Sequence, residues 1–209
     1  MSSWRLGRSL GIDPISQKTK QFVFDCVYCQ IGRARSSSAR RKIFVPIAGI
    51  IAEIKKLPIN AGIDYLTFSG SGEPTLAKNL AELIEKIKKI RKEPVAVITN
   101  SCLLGKKEVR EDISKADLIM AKLDASSKEM LKAVNNPLKS IVFSDILLNL
   151  KRLRRSYKKI LTLQIMFAKE NINYAGSIAH IAGEIKEDKI FINTPLRSSL
   201  PALVIIMAA

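Results

Sequence analysis

Apolar positions along this chain follow two alternating rhythms. Short continuous apolar runs, as expected of strands covered on both faces, give way to stretches with apolar residues three and four apart. Residues 6–12 and 64–69 read as strands, the second closed by the turn Gly70-Ser71-Gly72. Leu76, Leu80, Leu83, Ile84, Ile87 and Ile90 then form one helical stripe, with lysines on the opposite face. Residues 94–99 predict another strand, and residues 117–121 begin a third, running towards Asp124. Ser126 and Glu129 have capping-box spacing for the helix that follows. Phe143, Ile146, Leu147, Leu150 and Leu153 make a further stripe. Residues 161–167 and 190–192 read as the last strands, with a helix over residues 174–185 between them.

Strands alternating with helices predict an α/β fold with a parallel sheet and crossover helices. About six strand–helix units fit into 209 residues. An eight-unit barrel typically needs about 250 residues, so the pattern suits a six-unit partial barrel or an open doubly wound sheet. Either architecture places ligands at the C-terminal ends of the strands. The chain reads as a single domain over residues 1–209, with no internal repeat and no linker.

Composition narrows the class. Hydrophobic residues make up 47% and charged residues 26%, a globular balance. No window reaches the roughly 18 uninterrupted apolar residues that a membrane span needs. The N-terminal residues lack the apolar core of a signal peptide, so the expected location is the cytoplasm. The formal charge of +16 favours polyanionic partners such as tRNA. Basic segments at residues 33–42 and 151–159 permit such contacts. Lys151, Arg152, Arg154, Arg155, Lys158 and Lys159, however, read first as a solvated helix face.

Three cysteines, Cys26, Cys29 and Cys102, are too few and too odd a set for a disulfide framework. Cys26-Val27-Tyr28-Cys29 places two thiols near one metal or cluster, and zinc, an iron–sulfur cluster or thiol redox chemistry could each use them. The only histidine, His180, falls in a late helix and reads as an ordinary surface or half-buried residue. In Gly70-Ser71-Gly72-Glu73-Pro74-Thr75-Leu76, the glycines let backbone approach a ligand closely. The following amides favour negative charge, and Glu73 offers a carboxylate to an ammonium group. Such a site suits the amino acid end of a ligand.

Taken in order, Asp25-Cys26-Val27-Tyr28-Cys29-Gln30, Gly70-Ser71-Gly72-Glu73-Pro74-Thr75-Leu76 and Ile98-Thr99-Asn100 resemble the radical S-adenosylmethionine family. Arg5-Leu6-Gly7-Arg8-Ser9-Leu10-Gly11, Leu123-Asp124-Ala125 and Ile192-Asn193-Thr194-Pro195 are similar to its iron–sulfur oxidoreductase branch related to the wyosine tRNA-modifying enzymes. The resemblance runs over about residues 5–197. It implies a partial (β/α)6 barrel, a [4Fe–4S] cluster, S-adenosylmethionine as cofactor and a reductant such as flavodoxin or ferredoxin. It also implies reductive cleavage of S-adenosylmethionine to a 5′-deoxyadenosyl radical, acting on a substrate that the sequence does not name. By resemblance, Cys26 and Cys29 ligate iron and Tyr28 lies near the adenine. Gly70, Gly72 and Glu73 hold the methionine amino group, while Asn100 and Asp124 contact ribose or substrate.

One ligand departs from the pattern. The family's first cluster cysteine falls at position 22, where this chain has Phe22, a residue with no donor atom. Either the activity is lost, another residue supplies the ligand, or the codon is altered, since cysteine and phenylalanine codons differ by one base. A chain that has lost its cluster would persist as a binding module for a ligand or RNA. Cys102, just after Asn100 at a strand end, is the candidate replacement; otherwise it is a small buried residue in a turn. The apolar segment 198–209 is also atypical of the family.

Overall fold

The computed structural model describes residues 2–17, 21–31 and 36–195. In chain order the elements are β1 (Ser2–Ser3), β2 (Gly7–Ile12), β3 (Gln21–Phe22), β4 (Ser36–Ser37), α1 (Ile47–Lys55) and β5 (Tyr65–Phe68). They continue with α2 (Leu80–Ile90), β6 (Val95–Thr99), α3 (Lys107–Ile113), β7 (Leu118–Lys122) and α4 (Lys128–Asn135). The last are α5 (Phe143–Ser156), β8 (Ile160–Met166), α6 (Ala175–Gly183) and β9 (Lys189–Asn193). The segment 198–209, Arg197 and part of the basic segment 33–42 lie outside the described residues.

Six parallel strands, β2-β5-β6-β7-β8-β9, stand side by side in the order in which they occur along the chain. β1 adds a short antiparallel strand outside β2. The sheet curls until its far edges approach each other. Trp4, between β1 and β2, meets Phe191 of β9 edge to face, with ring centroids 5.3 Å apart and planes at 72°. The result is the expected half-barrel.

Successive side chains along a strand face opposite sides of the sheet, and the central strands feed a core on each side. On β7, Ile119 and Ala121 point outward into the large core beneath the helices. Leu118 and Met120 point inward and join Leu6 and Ala96, with Tyr65, Ile98 and Phe191 against them. The helices supply the outer layer through their apolar stripes: Leu80, Leu83, Ile84 and Ile87 of α2 are all buried, as are Ile146, Leu150 and Leu153 of α5.

Two local expectations are corrected. The stripe beginning at Leu76 is not one helix: Pro74–Leu76 is a 3₁₀ turn, and α2 starts at Leu80. The reason is tertiary. Lys42 donates its N–H to the Leu76 carbonyl at 3.1 Å and accepts from the Lys78 N–H at 3.0 Å, which holds this segment in a bridge rather than a helix. The cap of α4 is Ser127, whose hydroxyl accepts from the Met130 N–H at 3.2 Å. Ser126 instead turns its N–H towards the Met130 sulfur.

Candidate functional site

The cysteine loop leaves β3 and settles on the C-terminal end of α4. The Asp25 N–H donates to the Asn135 carbonyl at 2.9 Å, and the Val27 N–H donates to Val134 at 2.9 Å. These are carbonyls that a helix end leaves without intrahelical partners, so the loop and the helix terminus satisfy each other. The Cys29 N–H turns back to the Cys26 carbonyl at 3.0 Å, bringing the two cysteines into one tight turn.

A buried polar cluster ties the loop to the strand ends. Lys122, the last residue of β7, shares the inward face of Leu118 and Met120. Its ammonium group donates to the Tyr28 hydroxyl at 2.6 Å and lies 4.2 Å from that ring's centroid. The Tyr28 hydroxyl donates to Asp124. Asn135, through its side-chain nitrogen, reaches Asp124 at 2.9 Å, Tyr28 at 3.2 Å and the Cys26 sulfur at 3.3 Å. The other Asp124 oxygen accepts the Met166 N–H at 2.7 Å. Asp124 is therefore the hub of the cluster and is 3% exposed. Burial pushes the Tyr28 hydroxyl well above its ordinary pKa, and the neighbouring Asp124 adds to the shift. Burial raises the Cys26 thiol too, against the opposing influence of Lys122 and Asn135.

The glycine-rich turn occupies the end of β5. Gly70 has φ +147°, and a Cβ there would lie 2.3 Å from the Asp13 side chain. That closeness has a use. The Asp13 carboxylate accepts both the Ser71 N–H at 2.9 Å and the Ser71 hydroxyl at 2.6 Å, and so fixes the turn. Glu73 follows, buried, with its two oxygens loaded unequally. Oε1 accepts from the Thr75 N–H at 3.2 Å, the Thr75 hydroxyl at 2.7 Å and the Thr99 hydroxyl at 2.6 Å. Oε2 accepts only the Asn100 N–H, at 2.7 Å. Burial raises the Glu73 pKa against these four donors, which favour the ionised form.

Between loop and turn lies a cavity of about 180 Å³. Cys26, Tyr28, Cys29, Gly70, Gly72, Glu73, Asn100 and Lys122 all line it. The structure thus brings together every site residue named from the sequence except Asp124, which supports the cavity wall from behind, and the candidate replacement ligand Cys102, which does not line the cavity. Asp13, Lys122 and Asn135 were not found from the sequence. Each acts on residues far away in the chain, and no local motif marks them. Cys102 is half-buried against the core, and its thiol is pushed well above the ordinary value, by desolvation first and by Glu73 second. His180 is exposed on α6 and faces Glu184 at 3.5 Å.

The residues present fit S-adenosylmethionine. Glu73 Oε2 retains accepting capacity at the cavity wall, and Gly70 and Gly72 line the same cavity without side chains to obstruct it. The cluster's donor set is less complete. Cys26 and Cys29 offer two thiols, β3 carries Phe22 where the first cluster cysteine would stand, and no group of three His, Cys, Asp or Glu side chains able to hold a metal exists among the described residues.

Comparison with known proteins bears on the same residues. The profile of the Radical SAM superfamily matches residues 23–181. UPF0026 protein slr1464 of Synechocystis sp. is 42% identical over 79% of this chain and 62% of its own length. UPF0026 protein MJ1312 of Methanocaldococcus jannaschii is 37% identical over 93% of this chain and 62% of its own length. The chain thus spans about 62% of the length of these relatives. Among solved structures, native anSMEcpe with bound AdoMet superposes with a TM-score of 0.66 at 20% identity, over 90% of this chain and 51% of that one.

Proposed function

We propose, from the premise that this chain belongs to the Radical SAM superfamily, that it binds S-adenosylmethionine in the cavity between the cysteine loop and the Gly70–Glu73 turn. The carrying observation is the accepting capacity left on Glu73 Oε2, which takes one hydrogen bond, from the Asn100 N–H, and lies at the cavity wall. Glu73 takes the ligand's ammonium group, Gly70 and Gly72 admit its main chain, and Asn100 and Lys122 stand on the ribose and carboxylate side. Tyr28 closes the cavity beneath the adenine and keeps water out. Cys26 and Cys29 would hold the iron–sulfur cluster.

In this superfamily, the bound cluster supplies the electron that cleaves S-adenosylmethionine to a 5′-deoxyadenosyl radical, drawn from a reductant of the flavodoxin or ferredoxin class. The proposed reaction class is therefore radical S-adenosylmethionine oxidoreduction on a substrate not named by these residues. Phe22 favours a second reading, in which the barrel keeps the ligand site and has lost the complete cluster.

One experiment separates the two. Anaerobic reconstitution of the wild type and of Phe22→Cys, with iron and sulfide counted per chain, reads the cluster. Calorimetric titration of S-adenosylmethionine into the same samples reads the ligand. The enzyme reading expects a brown protein in both, with higher iron occupancy in Phe22→Cys. A colourless wild type that still binds S-adenosylmethionine selects the binding module, and no binding in either sample refutes the ligand site.

A further inference from the structure

Two side-chain amides at the C-terminal end of the parallel strands have no hydrogen-bond partner among the described residues, and they lie on neighbouring strands. Gln164 of β8 is 4% exposed, yet its side chain makes no hydrogen bond to any described residue. Asn193, the last residue of β9, has a buried side-chain oxygen without a partner among the described residues.

Strand alternation gives their direction. Leu161, Leu163 and Ile165 pack outward into the helix-covered core, so Gln164 faces the interior. Phe191 packs into the interior cluster, and Asn193 shares its face two residues on. In register, Gln164 sits between Lys122 on one side and Phe191 on the other. Lys122 lines the cavity described above.

A buried acceptor without a partner, as the Asn193 side-chain oxygen is among the described residues, is destabilising. Leucine would fill the Asn193 position without that penalty, and folded chains leave few such groups unpaired; the Gln164 amide, facing the interior without a bond to a described residue, is not sealed off and stays within reach of a ligand. An amide side chain offers an acceptor and a donor in one plane. Two of them at diagonal positions on adjacent strands, both beside Phe191, suit the edge of a flat ligand. We propose that Gln164 and Asn193 form the substrate-reading wall of the barrel, taking a planar group that carries an N–H donor beside a carbonyl acceptor, as a lactam or carboxamide does. This rests on the functional reading above, because it places that substrate edge next to bound S-adenosylmethionine.

The minimal probe is 2-pyridone, with 1-methyl-2-pyridone as the control that lacks the donor. Both are titrated by ligand-observed NMR into the full chain, with and without saturating S-adenosylmethionine. Wild type is compared with Gln164→Met and Asn193→Leu, with melting temperatures and S-adenosylmethionine affinities measured alongside. The expected result is at least a tenfold preference of the wild type for 2-pyridone, lost in each variant. Both variants should melt no lower than wild type and bind S-adenosylmethionine equally well. Equal binding of the two probes to wild type overturns the proposal, as does a preference that survives both substitutions. Melting several degrees lower would assign the amides a structural partner, and weakened S-adenosylmethionine binding would assign them to the cofactor; either result also overturns it. If wild type binds no S-adenosylmethionine, the functional reading fails by itself, and the probe preference measured without cofactor still decides the fate of the two amides.

Discussion

Glu73 does two jobs with one carboxylate. It knits the Pro74–Leu76 turn to the end of β6 through Thr75, Thr99 and the Asn100 N–H, and it faces the cavity. Glu73→Gln keeps the shape but substitutes a donor for one acceptor, so a buried N–H or hydroxyl loses its partner. The expected loss is about 2 kcal/mol, or roughly 4–8 °C in melting temperature for a domain of this size. If Oε2 also takes the ligand's ammonium group, S-adenosylmethionine affinity falls about tenfold as well. Calorimetry beside a melting curve reads both effects; a lowered melting temperature with unchanged affinity would leave Glu73 as a turn residue alone. The glycines and the acid of this turn are legible in sequence because they are adjacent there. Asp13 is not, since it reaches Ser71 across 58 positions. Nor is Asn135, which reaches Cys26 across 109. Side chains of this kind gain their meaning only when the strands are laid side by side.

Elements were read more accurately than their ends. The six strands and the stripes of α2 and α5 fall where apolar rhythm puts them, because rhythm reports burial and burial is what the sheet and helices share. Ends depend on single hydrogen bonds. α4 was expected to start from Ser126, but its N-terminus is capped by Ser127. The two serines make a paired test. Ser127→Ala removes the cap and should cost about 1 kcal/mol, roughly 2–4 °C, whereas Ser126→Ala should change melting little. The reverse order would contradict the cap. α4 also carries Asn135 and the carbonyls on which the cysteine loop rests, so Ser127→Ala should loosen that loop, measurable as faster amide exchange at Asp25 and Val27.

For the whole molecule, the +16 charge is less available than it looks. On α5, Lys151 pairs with Glu184 at 2.6 Å and Arg154 with Asp188 at 2.8 Å. Lys159 donates to the Ala116 carbonyl at 2.8 Å. The cations of α5 and of the segment after it are thus partly occupied by the protein's own acceptors. Binding of tRNA should consequently be weak and driven by counterion release, dropping more than tenfold between about 50 and 200 mM salt. A filter-binding series that stays flat across that range would point to base or shape recognition instead. No helix among the described residues is long and apolar enough to cross a membrane. The spatial order of the strands has a consequence in time. Because β2, β5, β6, β7, β8 and β9 line up as they are synthesised, each can dock on its predecessor as the chain emerges from the ribosome. The cysteine loop cannot, for its resting place at residues 134–136 is made roughly a hundred residues after Cys29. At about 5–20 residues per second, both thiols wait some 5–20 s in the open, so oxidants reach them most easily before the protein is finished.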